Sequence, residues 1–150
     1  MSRRLTFAAV LVVIAFAAAQ LIRPSRANPP TDPARTIRAH MGTASGLVPI
    51  LDRSCNECHS NATEWPWYAQ IAPVSWVLAR GIAEGRNIVN FSEWGGYSVD
   101  QQRDLLAASC ESARAGRMPG IYTWVRSDAR LSAEDIETIC AAARELDAKH

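Results

Sequence analysis

One short segment constrains this chain more than any other, namely residues 53–60, which read RSCNECHS. It places two cysteines three positions apart, and a histidine follows the second one directly. On a helical turn, positions i, i+3 and i+4 share one face, so Cys55, Cys58 and His59 can all point at one flat group. This C-x-x-C-H spacing is typical of covalent haem attachment, in which the histidine also ligates the iron. The sequence therefore predicts one haem c on Cys55 and Cys58, with His59 as an axial iron ligand.

Two other chemistries use a C-x-x-C pair. A structural zinc site needs four ligands, and neither a second C-x-x-C nor an H-x-x-x-H follows in the sequence. A thioredoxin-like dithiol follows a strand of a parallel sheet, and no alternating strand pattern precedes Cys55. A zinc module and a dithiol module remain the non-haem alternatives.

Length and charge limit the class of protein. The 150 residues suffice for one domain, and the part beyond the first 30 residues can bury a core. The 16 Lys and Arg residues are dispersed and nearly balanced by 15 Asp and Glu residues, for a net charge of +1. Because no basic patch results, we predict no nucleic-acid partner.

The N-terminus has the pattern of an export signal or a membrane anchor. Two arginines precede an apolar run of 18 residues from Leu5 to Ile22. This run is at the short end for a membrane span and long for a signal-peptide core, which favours a retained anchor. Three alanines at 17–19 offer a cleavage site as the alternative. Basic residues kept in the cytoplasm would place the rest of the chain in the periplasm.

Residues 24–35 contain four prolines and little apolar surface. Such a composition predicts an extended tether between the N-terminal helix and the folded domain. The expected organisation is an anchor or signal segment at 1–23, a tether at 24–35 and a folded domain at 36–150.

The spacing of apolar residues beyond the tether predicts an all-α domain. A short helix from Leu47 carries the haem motif, and Pro73 opens the next helix, which Gly85 is expected to end. Ser98 and Ser132 begin two further helices, because Gln or Asp follows three residues later in a capping box. The expected core positions are Val74, Val77, Leu78, Gly81 and Ile82 after Pro73, and Ile136, Ile139, Cys140, Ala143 and Leu146 in the last helix.

Aromatic residues follow the haem motif closely. Trp65, Trp67 and Tyr68 are well placed to cover a haem edge, with an indole N–H free to bond a propionate. Plain core packing is the alternative for these three. Phe91 and Trp94, in a later loop, are expected to anchor that loop in the core.

Met118 is the candidate for the second axial ligand. It lies 59 residues after His59, in a loop that follows Gly116 and is stiffened by Pro119. Methionine is the usual sixth iron ligand in cytochromes c. A methionine with a packing role is the alternative, and His40 is the other candidate ligand.

Cys110 and Cys140 are left over from haem attachment and lie on separate predicted helices. In an oxidising compartment, such a pair is expected to form a disulfide. Two buried free thiols that pack as small apolar side chains are the alternative.

Taken together, these segments resemble the haem-binding-domain family of small membrane-anchored bacterial cytochrome c-like proteins. The matching segments are CNECHS at 55–60, NATEWPWY at 61–68, IAPVSW at 71–76, EGR at 84–86, NFSEW at 90–94, Met118-Pro119, Tyr122 and Leu131-Ser132, with NPP at 28–30 before them. The resemblance implies a helical fold like that of cytochrome c, haem on Cys55 and Cys58, and a location in the bacterial envelope. Members often have histidine where this chain has Arg126 and tryptophan near Ala142, so no haem role of that histidine carries over.

The expected protein is an all-α, cytochrome c-like domain around one covalent haem, preceded by a transmembrane or signal helix. An iron with both axial positions filled favours electron carriage over catalysis, so we expect a non-enzymatic one-electron carrier at the periplasmic face of the inner membrane. Its partners would be redox proteins, with membrane respiratory components expected among them. A haem peroxidase or a gas-sensing protein with a labile sixth ligand is the alternative haem function.

Overall fold

The computed structural model describes residues 3–42 and 46–148. All regular structure in these two ranges is helical, which confirms the all-α prediction. The α-helices are α1 (Arg3–Ala19), α2 (Ile37–Met41), α3 (Leu47–Ser54), α4 (Asn56–His59), α5 (Val74–Ile88), α6 (Val99–Arg114) and α7 (Ala133–Asp147). Short 3₁₀ helices span Pro33–Arg35, Trp67–Gln70, Phe91–Gly96, Gly120–Trp124 and Ser127–Ala129.

Helix α1 is shorter than the apolar run that predicts it. Its 17 residues correspond to about 26 Å at the usual rise per residue, whereas a bilayer core is about 30 Å thick. Across residues 3–42 and 46–148, the structure contains no helix with the length and apolarity to cross a membrane. The predicted transmembrane helix is therefore not found.

The chain between α1 and the proline-rich segment is hydrogen-bonded to the domain, and the tether at 24–35 stays a prediction. The side-chain amide of Gln20 bonds to Ala72 in both directions, accepting from the Ala72 N–H at 2.9 Å and donating to its carbonyl at 3.3 Å. The indole N–H of Trp76 donates to the Ile22 carbonyl at 2.8 Å. The prolines do keep the segment extended, but the polar groups of the chain on either side of them find partners in the folded domain.

The core lies between α3, α6, α7 and the 3₁₀ turn at Phe91–Gly96. Helix α6 packs against α7, and α3 also packs against α7. Phe91 and Trp94 are buried, as predicted, and Trp94 has no exposed surface. The buried cluster comprises Ile37, Leu47, Ile50, Leu51, Val89, Phe91, Trp94, Leu106, Ala113, Ile139, Ala142 and Ala143.

The two predicted capping boxes are confirmed. Ser98 accepts from the N–H of Gln101 at the start of α6 while the Gln101 side chain bonds back to the Ser98 N–H. Ser132 and Asp135 make the same reciprocal pair at the start of α7. Each box satisfies two backbone N–H groups that a helix start leaves without partners.

Helix α5 differs from its prediction in length and in orientation. It continues through Gly85 to Ile88. Ile82 is buried as expected, but Val74 and Val77 are exposed. The apolar spacing identified a helix correctly, whereas the side that faces inward was decided by the close approach of Gly85 to the haem motif.

Candidate haem site

The C-x-x-C-H motif forms one turn between two helices. Cys55 ends α3 and caps α4, and its carbonyl accepts from the N–H groups of Cys58 at 3.1 Å and His59 at 3.0 Å. These two bonds place the three residues on one short turn, as the spacing predicts. The motif is therefore built by local backbone hydrogen bonds.

Both motif thiols are free cysteines that are partly buried. Burial, with a further effect from Cys58, raises the pKa of Cys55 to about 12. Burial, followed by the charge of Glu57, also raises the pKa of Cys58. Redox dithiols need accessible thiolates, which a raised pKa disfavours. Among residues 3–42 and 46–148, no cluster of three or more His, Cys, Asp or Glu could hold a metal ion.

The ring of His59 is oriented by the backbone of the residue that follows α5. Its Nδ1 lies 3.2 Å from the Val89 carbonyl oxygen. Because a carbonyl can only accept, Nδ1 carries the proton and the lone pair stays on Nε2. Burial lowers the pKa of His59, against the smaller opposing effect of the backbone contacts, and so favours the neutral ring. A neutral imidazole whose other nitrogen bonds a carbonyl is the usual arrangement of an iron-ligating histidine.

Helix α5 forms a wall of this site. At Gly85, a Cβ atom would stand 2.6 Å from the Cys58 carbonyl oxygen, so no larger residue fits without movement. The next residue, Arg86, donates from Nε to the Ser60 carbonyl at 2.7 Å and from Nη2 to the Thr63 hydroxyl at 2.9 Å. One end of α5 therefore supports both the motif and the loop that follows it.

The predicted aromatic residues have different environments. Trp65 is half-buried, and its indole N–H donates to Asn28 Oδ1 at 3.2 Å, so this N–H already has a hydrogen-bond partner within the protein. Trp67 is 73% exposed and makes an edge contact with Tyr68 at 5.7 Å between ring centroids. The haem-packing role of these three residues stays a prediction.

Tyr122 is a site residue that the sequence reasoning did not single out as such. Burial, followed by the charge of Glu57, raises the pKa of Tyr122 to about 12, and Arg126 opposes this shift. The charge of Cys58 makes a smaller contribution in the same direction. Arg126 pairs with Asp128 at 3.0 Å, and this partner raises the pKa of Arg126. The sequence signal that could have identified Tyr122 as a site residue is its position four residues after Met118.

Met118 lies just before the 3₁₀ helix Gly120–Trp124, which contains Tyr122. It is 46% exposed and lines an open cavity of about 300 Å³ between the end of α6 and the start of α7. The other lining residues are Ala113, Arg114, Gly116, Pro119, Gly120, Thr123, Arg130, Leu131 and Ile136. The motif is not part of this lining, so ligation by Met118 stays a prediction. His40, the other candidate ligand, lies against Gly95 in the Phe91–Gly96 turn.

The two remaining cysteines are joined in the structure. Cys110 on α6 and Cys140 on α7 form a disulfide with a Cα–Cα distance of 4.9 Å. Neither of them is bonded to Cys55 or Cys58, which are free.

The fold and this site define an all-helical haem-binding protein. The sequence model of the haem-binding domain family matches residues 14–145, and the chain belongs to this family. Searches of curated proteins and of solved structures found no match. The donor set suits a haem: two free thiols and an imidazole with its lone pair on Nε2 lie on one turn. When bound, the haem would supply an iron that gains and loses one electron.

Proposed function

We propose that this protein is a monohaem c-type cytochrome that transfers single electrons outside the cytoplasm. Cys55 and Cys58 would hold the haem as thioethers. Each thiol adds across a vinyl double bond, so a C–S bond forms, the S–H bond breaks and the hydrogen goes to the other vinyl carbon. No oxidant is consumed in this addition.

The bond between His59 and Val89 is the observation that carries this proposal. It fixes the tautomer in which Nε2 is the free ligand, on the same turn as the two thiols. A dithiol module needs no imidazole ligand, and a structural zinc site needs four ligands, whereas the residues that the structure describes contain no cluster that could hold a metal ion. A covalent haem needs all three groups at once.

Electron transfer follows from a second axial ligand, which we assign to Met118. The Met118 thioether and the His59 imidazole would hold the iron from both sides in either oxidation state, which would leave no open position for a substrate. Its redox partners would be proteins of the bacterial inner membrane, with respiratory components as the first candidates. A haem peroxidase or gas sensor becomes the better description if Met118 does not bind.

The periplasm is the proposed location. Helix α1 begins with two basic residues, Arg3 and Arg4, and continues as a largely apolar helix to Ala19, which suits an export signal. The disulfide between Cys110 and Cys140 suits an oxidising compartment. Haem attachment after export would then occur where the Cys110–Cys140 pair is already oxidised.

Covalent attachment is tested by expression together with cytochrome c maturation proteins. The wild type should keep its haem through denaturing electrophoresis, and the double variant Cys55→Ala, Cys58→Ala should lose it. The double variant Cys110→Ala, Cys140→Ala removes the same number of thiols and should keep it. Haem that extracts freely from the wild type would overturn the proposal.

A further inference from the structure

The segment that follows α1 reaches the haem site through one side chain, Asn28. Its Nδ2 donates to the Thr63 carbonyl at 2.8 Å. Its Oδ1 accepts from the Trp65 indole at 3.2 Å and from Arg86 Nη2 at 2.9 Å. Both ends of the amide are therefore used, and each partner belongs to the haem domain.

The loop held by Asn28 is tied directly to the motif. The Thr63 hydroxyl donates to the Glu57 carbonyl inside α4 at 2.7 Å. Asn61 is buried and donates to the Pro30 carbonyl at 3.1 Å, so the segment is fixed at a second point. Residues 28–30 thus pack behind the turn that presents the thiols and the imidazole.

Arg86 is the charged member of this network. It donates to no carboxylate among the residues that the structure describes, and its hydrogen bonds go to neutral oxygens of Ser60, Thr63 and Asn28. Its positive charge is therefore fixed in position but not neutralised. It also lies next to Gly85, the residue in closest contact with Cys58.

We propose that Asn28 is a positioning residue of the haem site, which holds Arg86 beside the motif and thereby raises the reduction potential. This inference rests on the proposed covalent haem. A fixed cation near the iron disfavours the oxidised state, which carries one more positive charge, and it acts more strongly in a partly buried place than in water. If Asn28 is removed, Arg86 gains freedom to move into solvent, where its charge is screened.

The first test uses the full-length, haem-loaded protein and the variant Asn28→Ala. Because the segment loses its attachment, tryptic cleavage after Arg26 should accelerate by about tenfold, equivalent to about 1.4 kcal/mol of local stability. The reduction potential should fall while the haem stays covalently attached. Thr31→Ala, an exposed polar residue of the same segment, is the matched control and should change neither quantity.

The second test is a double-mutant cycle with Arg86→Gln. This variant should lower the potential, and Asn28→Ala should add little in its presence, because Asn28 acts through Arg86. An Asn28→Ala variant that is cleaved faster but keeps the wild-type potential would reduce Asn28 to a structural role and overturn the inference. The inference would also be overturned if Asn28→Ala lowered the reduction potential equally in the wild-type protein and in the Arg86→Gln variant.

Asn28→Asp covers the case in which Asn28→Ala does not fold. The aspartate keeps an oxygen that accepts from Trp65 and Arg86 but loses the donor to the Thr63 carbonyl, so tryptic cleavage after Arg26 should accelerate less than in Asn28→Ala. Its negative charge should nevertheless lower the potential by neutralising Arg86. If Asn28→Asp has the same reduction potential as the wild type, the inference is contradicted. If the wild type itself loses its haem, only the proposed function on which the inference rests is contradicted.

Discussion

Gly85 lies directly against the backbone of Cys58, and a Cβ atom at position 85 would stand 2.6 Å from the Cys58 carbonyl oxygen. This contact joins α5 to the turn that carries the haem motif. Backbone on both sides cannot move aside as cheaply as a flexible side chain can. The contact therefore sets how closely α5 approaches the site.

Gly85→Ala should destabilise the protein by about 1–3 kcal/mol, because the added methyl group forces the two backbones apart. Urea denaturation measures the loss. Gly81→Ala is the matched control on the same helix, since a Cβ there has no atom within 4 Å. It should stabilise by about 0.5–1 kcal/mol through the usual gain of alanine over glycine in a helix. Equal stabilities for the two variants would contradict the close contact.

The ion pair between Arg53 and Asp135, with a separation of 2.7 Å, should make stability depend on pH. Burial raises the pKa of Asp135, but hydrogen bonds from Ser132 and Arg53 outweigh it, so the pKa is lowered overall. A carboxyl group with a lowered folded pKa stabilises the fold above its unfolded pKa, which is about 3.9 for aspartate. This contribution is lost as the pH falls through the lower, folded value.

Asp135→Asn should therefore cost about 1 kcal/mol at neutral pH, a figure that allows for solvent screening of the pair. The difference from the wild type should shrink as the pH falls below the unfolded pKa of about 3.9. Denaturation curves over this range provide the measurement. Glu145→Gln, on the exposed side of α7, is the control and should show no comparable trend. A cost that is independent of pH would mean that the charge of Asp135 is not involved.

Reduction of the disulfide between Cys110 and Cys140 should destabilise the fold. The bond closes a loop with a sequence separation of 30, for which the loss of chain entropy predicts about 3–4 kcal/mol. Denaturation with and without reductant should reveal this difference in the wild type and none in the variant Cys110→Ser, Cys140→Ser. Peptide mapping that finds both thiols alkylatable in the oxidised protein would rule the bond out.

Met118→Ala should leave the haem attached but lower the reduction potential, because a soft thioether favours the reduced iron. The variant should also bind carbon monoxide at the vacated position. Met41→Ala, which changes the partly buried methionine of α2, is the control and should retain the wild-type spectrum. Ready carbon monoxide binding by the wild type, with no effect of Met118→Ala, would favour the peroxidase or gas-sensor function.

Cleavage after export should yield a mature protein that begins at Gln20, because three alanines precede this residue. The new N-terminal residue would keep its hydrogen bonds to Ala72. The intact mass of the protein isolated from the periplasmic fraction tests where the exported chain begins. Gln20→Ala should leave processing largely unchanged but increase tryptic cleavage after Arg26. An uncleaved protein that fractionates with membranes would instead show that residues 3–19 are retained.

Much of the local structure could be read from the sequence. Helix starts at Ser98 and Ser132 and the turn at Cys55–His59 depend on residues three or four positions apart, so short spacings predict them. The burial of Phe91 and Trp94 was also predictable, because large aromatic side chains in a loop need a core to pack against. The end of α5 could not be predicted from the sequence, because a glycine such as Gly85 usually indicates the end of a helix when its packing partner is unknown.

The sequence by itself determined the family, the haem-binding turn and the all-helical class, since each depends on residue types at short spacing. Only the tertiary structure decided which carbonyl orients His59, which backbone Gly85 touches and where the proline-rich segment goes. Val89 lies 30 positions from His59, and Asn28 lies 58 positions from Arg86. Contacts over such separations leave no periodic pattern in the chain, because they arise only when the packing of whole helices brings the partners together.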